Sequence, residues 1–181
     1  MNPVSIPPNN PPTRRLIDQG ALRLHRDRAD RRGVADPLHR IAVGEVKDRL
    51  AEINRPFTRV GIVTAWPEFW QAAFPDAYVT TDSDQLDLPK GLDLVIHAMA
   101  LHWAEDPVGQ IVQSMRALKP DGLFIAACLG GDTLTELRDV LTRAEIEATG
   151  GLSPRFLPMG EIRDLGGLLA RAGLALPVAD H

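Results

Sequence analysis

Residues 58–70 read TRVGIVTAWPEFW, and the reading of this stretch decides the fold. Val60 to Val63 is an apolar run of strand length. From Pro67 to Phe74 the apolar residues follow helical spacing, and proline suits the first helical position. A strand that turns directly into a helix is the opening unit of a parallel α/β sheet. In nucleotide-binding sheets that turn is where glycines let the backbone approach a ligand. Here it is filled by Thr64, Ala65, Trp66 and Pro67.

Downstream, AYVTTD (77–82) reads as a second strand and LDLVIHA (92–98) as a third. The third is apolar on both faces, as a central parallel strand should be. Val108, Ile111, Val112 and Met115 mark a helix from about 107 to 118. KPDG (119–122) predicts a turn into the strand LFIAACL (123–129). Residues 133–136, TLTE, have capping-box spacing, and Leu134, Leu137, Leu141, Ala144 and Ala148 continue a helix behind them. Ile162, Leu165, Leu169 and Ala172 mark a last helix that stops at Gly173, a good C′ residue. ALPVAD (175–180) predicts a final, fifth strand.

Upstream, Asp36-Pro37 is a helix start, with the carboxylate as N-cap. Leu38, Ala42, Val46, Leu50 and Ile53 recur at helical spacing behind it. Between Thr13 and Gly33 lie seven arginines and three aspartates. Leu16, Ala21 and Leu24 could line one face of a helix there. The arginines read either as a solvated face or as a dock for an acidic partner. Residues 1–12 hold five prolines and read as a disordered tail. The expected organisation is therefore a tail (1–12), a helical segment (13–56) and a sheet domain (57–181). The fold class is α/β, a reduced, doubly wound, Rossmann-like sheet with N-terminal helices on it. Ligands in such sheets sit at the carboxyl ends of the strands, which singles out loops 64–67, 82–85, 97–106 and 129–133.

Composition narrows the function. The 181 residues suit one domain, and a net charge of −4 argues against a general nucleic-acid binder. No apolar run is long enough to span a membrane. MNPVSIPPNNPP lacks the basic and apolar parts of a secretory signal. Cys128 is the lone cysteine, so no intrachain disulfide is possible and a reducing cytoplasm is expected. In LFIAACL it reads as a buried, inert thiol. No histidines and carboxylates stand at metal-ligand spacing, so no metal is expected.

LHWAEDPVGQIVQSMRALKPDGLFIAACLGGDTLTELR (101–138) resembles the class I S-adenosylmethionine-dependent methyltransferase superfamily. GGLSPR, DLGGLLARAG, the arginine-rich segment and ADPLHRIAVGEVKDRL add to this. They are similar to the branch that contains the mitochondrial complex I assembly factor that hydroxylates an arginine, with the biotin-synthesis methyltransferase BioC as a more distant relative. The resemblance implies S-adenosylmethionine as cofactor and a protein partner, a respiratory complex I subunit. Two departures stand beside it. Members end their first strand in an acidic, glycine-rich motif that wraps the cofactor's methionine part. Here Thr64, Ala65 and Trp66 stand at or next to those glycines.

The second departure is a shortening: members have two strands, with a helix between them, where this chain has only YVTTD. Its surroundings suggest the third strand, with the ribose-binding unit absent and Asp82 near the adenine. As the second strand, Asp82 could itself be the ribose ligand. Losing a ribose carboxylate and one backbone contact costs roughly 3–5 kcal/mol, or about two to four orders of magnitude in affinity. The expectation is a cofactor site that is not intact and holds nothing, with Thr64, Trp66, Asp82 and His97 as its vestiges. Trp66, with Phe69 or Trp70 beside it, is expected to close the space beyond Val63.

By the same resemblance the loop with His102 and Trp103 borders the cofactor and the substrate or partner, although Trp103 anchoring the loop and His102 bonding to backbone is the favoured reading. Asp132 could face the cleft or only begin a helix, Arg155 could recruit an anionic group or only shape a loop, and no residue stands out as catalytic. The functional expectation is a pseudoenzyme that acts as a protein-binding or assembly factor. The alternative is an active methyltransferase or related hydroxylase with a non-standard cofactor site. A shortened sheet also leaves an edge, which predicts cover from the N-terminal helices, a partner or a second copy of the chain.

Overall fold

The computed structural model describes residues 15–33, 35–157 and 159–180. The proline-rich tail expected over residues 1–12 lies outside them. Two N-terminal helices, α1 (Gln19–Arg32) and α2 (Pro37–Glu52), precede β1 (Val60–Thr64), α3 (Pro67–Ala73), β2 (Tyr78–Thr80) and β3 (Leu92–Ala98). Then come a 3₁₀ turn (Leu101–Trp103), α4 (Pro107–Ala117), β4 (Leu118–Ala127), α5 (Thr135–Thr149) and α6 (Ile162–Arg171). The described strands form one four-stranded sheet in the order β2-β1-β3-β4, and every pairing is parallel.

The sheet is covered on both faces, which is why β3 is buried along its whole length. On one face Ile62, Leu94, Ile96 and Ala98 pack against Ala42 and Val46 of α2 and Trp70 of α3. On the other, Val95 meets Ala117 of α4, and Ile111 of α4 packs with Leu101 and with Leu168 and Leu169 of α6. Gly61 is needed inside β1, because a Cβ there would stand 2.6 Å from a methyl carbon of Leu92. At α2 the burial differs in detail from the periodicity. Leu38 and Ile53 are exposed and His39 is buried.

Four local expectations are corrected. ALPVAD forms no strand, so the fifth strand is absent among the described residues. KPDG does not separate turn from strand: β4 begins at Leu118, and these residues bulge between the pairs Leu92–Leu118 and Leu94–Leu123 with Asp121 at φ +60°. The residue N-terminal to α5 is Leu134, in the left-handed region at φ +54°, so Thr133 and Glu136 make no capping box. Asp36 precedes α2, but its carboxylate makes no cap bond and pairs with Arg40 at 2.6 Å. That i,i+4 pair offers the carboxylate an alternative partner to the orphan N–H groups.

Candidate functional site

The carboxyl ends of β1, β2 and β3 point toward α1. Thr64 is fully buried at the end of β1, and its Oγ accepts a bond from the Trp66 N–H at 3.3 Å. That bond sets the turn and directs the Trp66 indole outward. The ring meets His39 edge-on at 5.0 Å between centroids and lies under the Arg26 guanidinium at 5.9 Å. Its Nε1 donates to Asp30 of α1 at 3.3 Å. Phe69 and Trp70 turn the other way, toward α2. Trp70 is fully buried and donates to His39 Nδ1 at 3.1 Å.

β2 is hydrogen-bonded directly to β1 and forms one edge of the sheet. The loop after it carries Asp82, whose carboxylate takes both arms of the Arg26 guanidinium, at 2.9 and 2.7 Å. The pair is well covered, with side-chain exposures of 22% for Arg26 and 7% for Asp82. A bidentate arginine–carboxylate pair is the strongest common form of this contact. Removing one partner leaves the other charge buried and alone.

His97 ends β3 on the α4 face. Its Nε2 lies 2.8 Å from Gln110 Oε1, and the Gln110 amide N–H groups donate to the carbonyls of Asp82 and Ser83 at 3.3 and 3.1 Å. That direction makes Gln110 Oε1 the acceptor, so His97 carries its proton on Nε2. Its Nδ1 is buried without a partner. Burial pushes the imidazole down to about 4. His102 is likewise driven to about 4, chiefly by burial, with His97 and Arg26 adding to the effect. Its Nδ1 accepts from the Leu129 N–H at 3.3 Å, which ties the loop after β3 to the end of β4. Trp103 lies beside His102, with ring centroids 5.2 Å apart.

A cavity of about 370 Å³ opens between α1 and these loops, with Leu16, Ile17, Leu22, Trp66, Trp103 and Leu157 among its walls. Trp66 borders this cavity, and Phe69 and Trp70 do not. Asp132 and Arg155 lie elsewhere. Asp132 is exposed beyond β4, and Arg155 is spent on Glu145 at 2.9 Å. The structure thus groups Thr64, Trp66, Asp82, His97, His102 and Trp103 at one end of the sheet and leaves Asp132 and Arg155 outside the group.

Three participants were not singled out from the sequence. Arg26 is one arginine among seven, Gln110 is a polar position within a helix, and Glu105 anchors the start of α1. The Glu105 carboxylate accepts from the Leu16 and Ile17 N–H groups at 2.9 and 3.0 Å. Only the acidic character of the loop after LHW hinted at the last. Cys128 is half-buried among apolar neighbours and burial raises its thiol, which opposes nucleophilic use. No cluster of metal-ligating side chains occurs among the described residues.

A doubly wound parallel sheet with binding loops gathered at its carboxyl edge defines the Rossmann-like class. The family model for a methyltransferase domain matches residues 41–126, from α2 to the end of β4. With the relatives that follow, this makes the chain similar to the class I S-adenosylmethionine-dependent methyltransferase superfamily. It is 44% identical over 100 residues to the arginine-hydroxylase NDUFAF5, mitochondrial, of Rattus norvegicus, covering 55% of this chain and 29% of the relative. It is 40% identical over 105 residues to a malonyl-[acyl-carrier protein] O-methyltransferase of Laribacter hongkongensis, covering 58% of this chain and 33% of the relative. In both cases the match spans a third or less of the relative's length. A solved S-adenosylmethionine-dependent methyltransferase of Thermotoga maritima, a possible histamine N-methyltransferase, superposes with a TM-score of 0.55 at 14% identity. It covers 84% of this chain and 80% of that one, a likeness of fold. Among the described residues no helix is long and apolar enough to cross a membrane.

Proposed function

We propose that this chain is a methyltransferase-fold assembly factor that binds a protein partner and holds no S-adenosylmethionine. The observation that carries the reading is the Arg26–Asp82 pair. In this fold the carboxylate after the strand beside β1 grips the cofactor's ribose, and here α1 of the same chain occupies it. The cofactor's methionine end fares no better. Thr64, Ala65 and the Trp66 indole stand where glycines would bring the backbone up to it. The residues present do not fit the cofactor, and no chemical step is routed through it. The partner, by resemblance to the arginine-hydroxylase branch, is a respiratory complex I subunit. The lone, half-buried Cys128 supports a reducing compartment such as the cytoplasm.

One observation favours a second reading, an enzyme with a non-standard cofactor site. Asp82 is retained at the ribose position, and α1, which covers it, has no fully buried residue of its own. A helix so shallowly seated could lift. Calorimetric titration with S-adenosylmethionine separates the two. The native chain, Arg26→Ala and Trp66→Gly are all expected to show no saturable heat up to millimolar cofactor. Saturable micromolar binding by the native chain would establish the enzyme reading. Micromolar binding gained only by Arg26→Ala or Trp66→Gly would mean a blocked site and not a lost one.

A further inference from the structure

From the cavity beneath α1 we infer a docking site for an acidic segment of a partner protein that inserts one bulky apolar side chain. At about 370 Å³ the cavity falls within the range of small-ligand pockets. Its walls come from four separated parts of the chain: α1 and Leu16, Ile17 and Asp18 before it, the turn that carries Trp66, the turn that carries Trp103, and Leu157. Two indoles and several aliphatic side chains give an inserted apolar group a largely apolar lining, open on one side. The Arg26 guanidinium also lines it but is already neutralised by Asp82, so the interior favours an uncharged group.

The surroundings set the sign of the charge. Between Arg15 and Arg32 stand six arginines and three aspartates, in a chain whose net charge is −4. Asp18 caps α1 through the Ala21 N–H and lines the cavity, and Asp30 receives the Trp66 indole N–H; both keep their charge, so the arginines outnumber the aspartates two to one. His25 and Ala29 line the cavity, and Arg28 and Arg32 each follow one of them by three residues. Helical spacing therefore puts both arginines beside the cavity face. Arg15, Arg28 and Arg32 are exposed and make no salt bridge among the described residues. An apolar cavity rimmed by unspent cations suits a segment with the complementary arrangement, acidic flanks around an aromatic or leucine side chain.

This site rests on reading the chain as a protein-binding member of its superfamily, but not on the loss of the cofactor. Cofactor titration and peptide titration can therefore fail independently. The probe is a short synthetic peptide of aspartates and glutamates with one central phenylalanine, titrated into the full chain. Binding is followed by calorimetry and by the fluorescence of Trp66 and Trp103. The same peptide with alanine in place of phenylalanine is expected to bind about 30-fold more weakly or worse, because the buried ring is lost.

Ala21→Trp, which fills the cavity, should abolish the difference between the two peptides while leaving the circular dichroism spectrum unchanged. Arg28→Glu/Arg32→Glu changes only exposed side chains, so it keeps the test valid if the cavity variant misfolds. It should weaken the acidic peptide at least tenfold and remove its salt dependence. Equal affinity for the phenylalanine and alanine peptides, equal affinity for a lysine-rich peptide with the same phenylalanine, or an unaffected Arg28→Glu/Arg32→Glu variant would each overturn the proposal.

Discussion

Thermal melts of the full chain are expected to lose roughly 10 °C between pH 7 and pH 4.5, before most carboxylates are protonated. His97 and His102 are held neutral by burial, each titrating at about 4 in the folded chain against an ordinary value of 6.5. Their folded values are depressed, so the unfolded chain takes up these protons first. Stability is full above pH 6.5 and falls as pH descends toward 4. One pKa unit corresponds to about 1.4 kcal/mol, and with allowance for relaxation each histidine costs on the order of 2 kcal/mol by pH 4.5. For a chain of this size each kcal/mol shifts the midpoint by about 2–4 °C. His39, lowered by burial as well, acts in the same direction.

His97→Gln should roughly halve the loss, whatever it does to stability at pH 7. Asp93 falls in a separate window. Bonds from Thr58 and Arg59 hold its carboxylate below the ordinary value despite the opposing effect of burial, so its contribution disappears only as pH drops below about 3.8. A melt that stays flat from pH 7 to pH 4.5 would show that these imidazoles are not buried and neutral.

Trp70→Ala should cost about 3–5 kcal/mol in urea denaturation, enough to bring a domain of this size close to unfolding. Trp70 is fully buried, stacks on Phe74 with ring centroids 6.2 Å apart, and donates its only polar hydrogen to His39. Truncation opens a cavity under α2 and also removes the donor from a buried acceptor. Trp70→Phe, which keeps the ring but not the N–H, should recover most of the loss. The remainder is about 1–2 kcal/mol, the cost of an unmet hydrogen bond. If Trp70→Ala cost less than about 1 kcal/mol, the packing of α2 and α3 on the sheet would be misassigned.

These two predictions concern side chains that the sequence treated unequally. Trp70 and Trp66 stand four residues apart in one short helix and its N-cap, and composition cannot rank them. The structure buries Trp70 fully against α2 and leaves Trp66 partly exposed between His39 of α2 and Arg26 and Asp30 of α1, because Trp66 stands in the non-helical turn before α3. His97 was legible as part of a site loop, since it closes an apolar strand. Its pairing with Gln110 was not, because the two meet only when α4 folds back over β3.

The sequence by itself determined the alternation of strands and helices, the parallel sheet, and the absence of glycine from the turn after β1. Those properties are local: side-chain period, proline placement and the size of Trp66 act within a few residues. Its errors lay where one local bond displaced another or where a tertiary partner was missing. Asp36 preferred Arg40 to its helix, and ALPVAD found no neighbouring strand with which to share hydrogen bonds. Only the tertiary structure decided which strand lies beside β1 and that Asp82 is paired with Arg26. Strand order is fixed by pairing between distant segments and has no period to read. The same holds for Arg26, whose distinction among seven arginines is that α1 brings it to the loop after β2, where the buried Asp82 carboxylate takes its charge.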